Sequence, residues 1–334
     1  MSLYAVDAID DAFSATRSFL WPFDRGRWLR LAVVVLFLGG TGGFSPFQFS
    51  GGAPTGTGPE TSLPSELPPP GTTVSGGVEL LLIAGVFALI AAIVLGVLFV
   101  GSVMEFVFVE SLRREAVSVR RYWRDNWRVG ARLFGFRLLL GVLTLAVVLS
   151  VLAVVLSPVL LGNEGLAIGT VLLAIPVFFA VAVVSGLLGA FTTNFVVPIM
   201  LVEDRGVVSA WRRFWPTLTG QWKQYAAYVV VAFVLQIAVS ILMGIVIVLG
   251  VVAAAVPFGV VGLVGVALLS AVELVGGALI AVAALLFALT VFALSLLVAV
   301  PAQTYLRYYA LFVLGDTAAE FDLIADRRRA VRES

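Results

Sequence analysis

Residues 110–134 read ESLRREAVSVRRYWRDNWRVGARLF and lie between two long apolar segments. Plotted at about 100° per residue, apolar side chains and two indole rings fall on one stripe of a helix, and guanidinium groups fall on the opposite side. This pattern is typical of a helix at a membrane surface, so we expect one continuous interfacial helix here. The stripe contains Leu112, Ala116, Val119, Trp123, Trp127 and Phe134, and the opposite side contains Arg121, Arg124, Arg128 and Arg132.

The composition predicts a polytopic membrane protein. Apolar residues make up 61% of the 334 residues and charged residues 12%, whereas soluble domains are about 45–50% apolar and about 25% charged. We expect an all-α helical bundle that forms a single transmembrane domain over residues 1–314, followed by a cytoplasmic tail over 315–334. The bundle should contain about six transmembrane helices in three helix-hairpin repeats, with amphipathic interfacial helices on the cytoplasmic side.

The absence of two residue types excludes several kinds of chemistry. The sequence contains no cysteine and no histidine, so disulfides, thiolate nucleophiles, imidazole bases and His or Cys metal sites are excluded. The single lysine, Lys223, lacks the glycine-rich run that precedes the lysine of a phosphate-binding loop. We therefore expect a protein that is not an enzyme and that has no cofactor and no metal.

The apolar blocks predict the individual spans. The first begins at Leu31 and needs the following glycine-rich residues to reach the roughly 20 that a bilayer requires. Residues 41–77 are rich in Gly, Ser, Thr and Pro and predict a flexible extracellular loop. Glycines and Pro257 predict a broken or re-entrant hairpin at 257–274. The other spans are expected at about 80–104, 135–160, 168–200, 226–252 and 278–305.

Two further surface segments are predicted. Residues 3–20 form an interfacial helix whose apolar stripe contains Val6, Ile9, Phe13, Thr16 and Leu20. The cytoplasmic basic helices cover 110–132 and 203–224, and the second of these should be two short helices because Pro216 interrupts it.

The charges predict the orientation. With six spans and the N-terminus inside, all 21 lysine and arginine residues and all seven tryptophans fall in cytoplasmic segments. Positive charge in short loops sets the orientation of membrane proteins, and indole rings settle at headgroup depth. We therefore expect a multi-pass protein of the cell membrane with both termini in the cytoplasm.

Short matches predict a threefold repeat. RSFLWPFDRGRW, RRYWRDNW and RRFWPTLTGQW precede the first, third and fifth spans, and the even spans end in FVES, LVED and VLGD. We infer three units, each a surface helix followed by a helical hairpin.

The same repeat brings out a polar set near the cytoplasmic end of each even span. Glu105, Asn194 and Gln303 each lie beside an aromatic residue, and Arg137 could act as the counter-ion of Glu105. One hypothesis is that the four side chains form a functional cluster inside the bundle. The alternative is that each satisfies a neighbouring helix or reaches water at the interface.

Three classes of function are considered. The first is engagement of anionic lipid headgroups, with an additional membrane-protein partner left open; its alternative is that the basic residues only fix topology. The second is a small-molecule transporter or exporter, for which the broken helix at 259–277 and the repeats are the support. An intramembrane enzyme and nucleic-acid binding are disfavoured. The residues assigned to the lipid interface are Trp21, Trp28, Arg121, Trp123, Arg124, Trp127, Arg128, Trp211, Arg212, Arg213, Trp215 and Trp222.

Three segments carry a resemblance to a known group of proteins. YAVDAIDDAFSATRSFLWPFDRGRWLRLAVVV, VVPIMLVEDRGVVSAWRRFWPTLTGQWKQYAAYVVV and TYLRYYALFVLGDTAAEFDLI resemble uncharacterised haloarchaeal multi-pass membrane proteins. More loosely, the hairpin layout is similar to the membrane domain that accompanies some glycerophosphodiester phosphodiesterases. The resemblance implies a haloarchaeal host and a multi-pass topology. It implies no phosphodiesterase activity, because no soluble phosphodiesterase domain is present in these residues.

Overall fold

The structure, a computed structural model, describes residues 4–38, 77–160, 162 and 164–333. This part of the chain is helical and contains no strand, which confirms the all-helical prediction for these residues. The ten α-helices are α1 Tyr4–Leu20, α2 Arg25–Leu38, α3 Gly77–Arg113, α4 Val119–Leu160, α5 Glu164–Phe191, α6 Val197–Glu203, α7 Val207–Gly220, α8 Trp222–Leu269, α9 Glu273–Thr317 and α10 Ala325–Arg332. A π-helical turn, Thr192–Val196, joins α5 to α6, and a 3-10 turn, Ala319–Phe321, follows α9.

In the part of the chain that the structure describes, five helices are long and apolar enough to cross a bilayer: Leu81–Arg113, Val119–Pro158, Ile168–Glu203, Trp222–Leu269 and Glu273–Thr317. The described part of α2 has 14 residues, fewer than the roughly 20 that a span needs. Any extension of α2, and the predicted loop at 41–77 apart from Gly77, lie outside the described residues. The sixth crossing therefore stays a prediction.

Burial is concentrated at one end of the bundle, which we call the packed end. It consists of α1, α2, α6, α7 and α10, the last turns of α3 and α9, and the first turns of α4 and α8. Beyond it the helices expose large apolar side chains on most faces, and every residue from 81 to 97 is exposed. A helix that is apolar on all sides is suited to contact with lipid.

Helix α1 packs through a row of alanines, with Phe19 and Leu20 buried at its C-terminal end. Ala5, Ala8, Ala12 and Ala15 are fully buried, and the hydroxyl of Tyr309 in α9 donates a hydrogen bond of 3.0 Å to the carbonyl oxygen of Ala5. Small side chains let two helices approach closely. Of the predicted apolar stripe, Val6 and Phe13 are exposed, whereas Thr16 and Leu20 are buried, so its contact with a membrane stays a prediction.

The continuous helix predicted over 110–134 is also wrong. Helix α3 ends at Arg113 and α4 begins at Val119, with Glu115 between them in a left-handed conformation, φ +52°. The arginine-rich part is the beginning of α4 and continues directly into the apolar span. A continuous helix leaves fewer backbone groups without partners than a surface helix and a span separated by a turn.

The sequence predicted that prolines and glycines break the helices around Pro216 and at 257–274, but α7 and α8 are continuous there. Helix α7 passes through Pro216, and α8 passes through Pro257 to Leu269 before a short turn leads into α9. The broken or re-entrant hairpin at 257–274 is therefore wrong. Proline is tolerated in spanning helices when neighbouring groups compensate the lost hydrogen bond.

Two glycines of this region, Gly265 and Gly276, allow close helix packing. A Cβ atom on Gly276 would lie 2.6 Å from the carbonyl oxygen of Gly265 and 2.7 Å from the backbone nitrogen of Leu269. Only a residue without a side chain allows α8 and α9 to approach this closely after their turn.

The C-terminal residues fold back onto the packed end. Arg328 contacts Asp316 at 2.7 Å and Asp322 at 2.6 Å, and Arg332 contacts Asp316 at 2.7 Å and Asp11 of α1 at 2.8 Å. Hydrogen bonds to Asp316 and Asp11 raise the pKa of Arg332 above its ordinary value. Residues 315–334, predicted as a separate tail, thus begin inside α9, and they hold both described ends of the chain together.

We expect Gly276→Ala to lower the melting temperature of the detergent-solubilised protein, because overpacking against backbone atoms costs roughly 1–3 kcal/mol. Gly277→Ala is the matched control, since a Cβ atom there would meet nothing within 4 Å. Equal melting temperatures for the two variants would contradict the helix contact described here.

Candidate functional site

A buried carboxylate lies at the centre of the packed end. Glu105 of α3 is 1% exposed. Its Oε1 atom is 3.2 Å from Nη2 of Arg137 in α4, and its Oε2 atom accepts a short hydrogen bond from Nη2 of Arg307 in α9. An ionised group is costly to bury unless it is paired with an opposite charge and hydrogen-bonded. The two arginines provide Glu105 with both the opposite charge and the hydrogen bonds.

The π-helical turn supplies further acceptors for the two arginines. Nη1 of Arg307 donates to the carbonyl oxygen of Thr193 at 2.6 Å, and Nη2 of Arg137 donates to the Thr193 hydroxyl at 2.8 Å. The hydroxyl of Ser102 lies 3.4 Å from Nη1 of Arg137. Such turns interrupt the regular helical hydrogen bonding and are frequent at functional sites. Four segments of the chain therefore meet at one ionic cluster.

A polar cavity of about 80 Å³ lies beside this cluster. On one side, Nδ2 of Asn194 donates to the hydroxyl of Tyr228 at 3.1 Å, and the Tyr228 ring stacks on Tyr309 with centroids 5.4 Å apart. The remaining polar side chains that line the cavity are those of Glu105, Thr193, Gln236, Gln303 and Arg307.

The structure brings the four side chains of the predicted polar set to this site. Glu105, Asn194 and Gln303 line the cavity, and Arg137 pairs with Glu105. Sequence reasoning missed Arg307, because the sixth span was expected to end at about residue 305. The apolar run YYALFVLG that follows Arg307 was the available signal that the helix continues.

The tryptophans assigned to the lipid interface divide into two groups. Trp28, Trp123 and Trp211 pack against the core, and the indole nitrogen of Trp211 donates to the Thr192 hydroxyl at 3.0 Å. These three rings therefore have a structural role in the packed end. The other four are exposed by about half or more: Trp21 70%, Trp127 45%, Trp215 58% and Trp222 62%.

The arginines of the predicted interface are all exposed, and they differ in their contacts. Arg121 and Arg124 lie 4.0 Å and 3.9 Å from Asp125 of the same helix, and the Arg128 guanidinium lies 5.5 Å from the centroid of the Trp127 ring. Arg213 pairs with other segments of the chain, at 2.6 Å from Glu320 and 3.6 Å from Glu203.

Acidic side chains do not gather into a metal site within the described ranges, where no group of three or more could hold an ion.

Comparison with known proteins finds one family, described as "Family of unknown function (DUF7544)", which matches residues 3–324. No curated protein and no solved structure matches the chain.

We expect Glu105→Gln to destabilise the protein by roughly 3–5 kcal/mol, since it leaves the buried Arg307 and the partly buried Arg137 without their carboxylate. The measurement is chemical unfolding in detergent micelles. Glu273→Gln is the matched control, because Glu273 is exposed at the start of α9.

A double-mutant cycle separates loss of the ion pair from loss of packing. Arg137→Gln should cost less stability in the Glu105→Gln background than in the wild type, because the cation it removes is then uncompensated. Additive effects of the two substitutions would contradict an ionic role for the cluster.

Proposed function

Since the chain belongs to this family of unknown function, we propose from its geometry that it is a non-enzymatic integral membrane protein that engages anionic lipid headgroups. The residues that carry the proposal are the exposed ones of the predicted interface that form no ion pair with another segment of the chain. They are Trp21, Arg121, Arg124, Trp127, Arg128, Arg212, Trp215 and Trp222.

The single observation that supports this proposal is the placement of exposed indole and guanidinium groups where apolar helices enter the packed end. Trp127 and Trp222 each carry a cation over the ring, Arg128 at 5.5 Å and Lys223 at 5.9 Å. Indole rings favour the depth of lipid headgroups, and each basic residue near an anionic leaflet contributes about 1 kcal/mol of attraction. The side chains on this part of α4 thus combine both kinds of contact.

A cytoplasmic location of the packed end belongs to the same proposal. The Tyr309 and Arg332 contacts with α1 hold the N-terminal and C-terminal helices together. Two ends on one side require an even number of crossings, as a sixth span would provide. The concentration of positive charge at this end favours the cytoplasmic side.

The transport alternative has lost its main structural support, because α8 is unbroken through residues 259–269. The threefold hairpin repeat remains part of the proposal. Glu110, Glu203 and Asp316, which end the three proposed units, each pair with an arginine that follows in the chain. A haloarchaeal host and the likeness to phosphodiesterase membrane domains stay predictions.

We expect the lipids around the protein to be enriched in anionic species, and the enrichment to depend on the exposed arginines of α4. The triple variant Arg121→Gln, Arg124→Gln, Arg128→Gln should lower the preference for spin-labelled phosphatidylglycerol over phosphatidylcholine by about fivefold or more. Electron paramagnetic resonance in nanodiscs measures this preference.

The matched control replaces the same three arginines by lysine, which keeps the charge and should keep most of the lipid preference. High salt should reduce the preference of the wild type, because exposed charges are screened. The absence of a preference for the anionic lipid in the wild-type protein would contradict the proposal.

The cysteine-free sequence allows a direct test of orientation. In intact cells, a membrane-impermeant maleimide should not label Glu333→Cys, and it should label Leu160→Cys at the opposite end of α4. Permeabilised cells should show labelling at both positions. Labelling of Glu333→Cys in intact cells would place the packed end outside.

A further inference from the structure

The ionic cluster contains more positive than negative charge. Glu105 contributes one negative charge, and Arg137 and Arg307 contribute two positive charges. Arg307 is 5% exposed, so little solvent is available to its guanidinium group. A buried excess of one cation is unfavourable unless another group compensates it.

The cavity beside Arg307 is lined in part by polar side chains that have no hydrogen-bond partner among the described residues. Gln236 of α8 and Gln303 of α9 both line it, and neither side-chain amide forms a hydrogen bond within the part of the chain that the structure describes. Polar groups inside proteins are satisfied by protein atoms or by ordered water, and both of these residues are half-buried. Their amide groups are therefore available to a polar occupant of this cavity.

The size of the cavity limits the occupant. Its volume is about 80 Å³, whereas about 10–15 Å³ is enough for a single water molecule on the same scale. The space accommodates a few waters or a polyatomic ion of a few heavy atoms.

We propose that this cavity binds one small oxyanion of the carboxylate or phosphate class beside Arg307. Guanidinium groups form strong charge-assisted hydrogen bonds with such oxygens, and amide and phenol groups can complete the shell. Both carboxylate oxygens of Glu105 already contact arginines, so their repulsion of the anion is reduced. A single negative charge would neutralise the excess charge of the cluster.

The shared chemistry of the ligand is the oxyanion, which either a soluble anion or a lipid phosphate can supply. The site differs from the exposed arginines of α4 and does not depend on the lipid engagement proposed above. The two can be tested separately, because the triple glutamine variant of α4 leaves the cavity residues unchanged.

The test is direct binding of three probes to the full chain: inorganic phosphate and acetate in detergent by equilibrium dialysis, and phosphatidic acid in nanodiscs by thermal stabilisation. We expect saturable binding of at least one probe at one site per chain. Gln236→Leu and Gln303→Leu should each weaken this binding by about tenfold, since each removes a hydrogen bond to a charged ligand.

Gln224→Leu is the matched control, because it makes the same change on α8 outside the cavity and should leave binding unchanged. These leucine variants keep the buried ion pairs, so their melting temperatures should stay close to that of the wild type. Arg307→Gln would test the guanidinium directly but removes a partner of Glu105, so it serves only as a second measurement.

The outcomes separate the sources of the anion. Cavity-dependent binding of phosphate or acetate assigns a soluble anion, and cavity-dependent binding of phosphatidic acid alone assigns a lipid headgroup. The proposal is overturned if no probe binds saturably, or if Gln224→Leu weakens binding as much as the cavity variants. A cavity that holds only water would give the first of these results.

Discussion

The pairing of Glu105 with Arg137 and Arg307 is the interaction on which the packed end depends. It joins α3, α4 and α9, and the contacts of both arginines with Thr193 add the π-helical turn between α5 and α6. In the apolar part of a membrane protein, helices gain little from hydrophobic attraction to one another, because lipid is equally apolar. Polar contacts and close fit therefore decide which helices meet.

Close fit takes two forms in this chain. The alanine face of α1 lies against α9, and Gly265 lies against Gly276 at the turn between α8 and α9. At the packed end, the ion pairs of Arg328 and Arg332 join α10 to the end of α9 and to α1. Away from them, the helices present apolar side chains to the surroundings on nearly every face. The buried core of the packed end and the exposed apolar surface thus occupy different parts of the bundle along its length.

The sequence predicted the helical class and the polar set, but it could not predict how the segments pack. Glu105, Asn194 and Gln303 could be found because each is a polar residue in an apolar segment, and such residues need partners. Arg307 was missed because its role depends on where α9 ends. The packed tryptophans look the same in sequence as the exposed ones, since the difference arises from which helix lies beside them. Pro216 and Pro257 show the opposite error, in which local preference was given too much weight against tertiary packing.

The contacts of α1 with α9 and α10 have a consequence for how the protein is made. Tyr309 bonds to Ala5, 304 positions away in the chain, and Arg332 bonds to Asp11 over 321 positions. Contacts between such distant residues form late, because the intervening chain must first be brought together. Helix α1 leaves the ribosome before α9, and its alanine face finds its partner only after α9 has been inserted. During synthesis this face must therefore stay in contact with the bilayer surface or with the insertion machinery until α9 is in place.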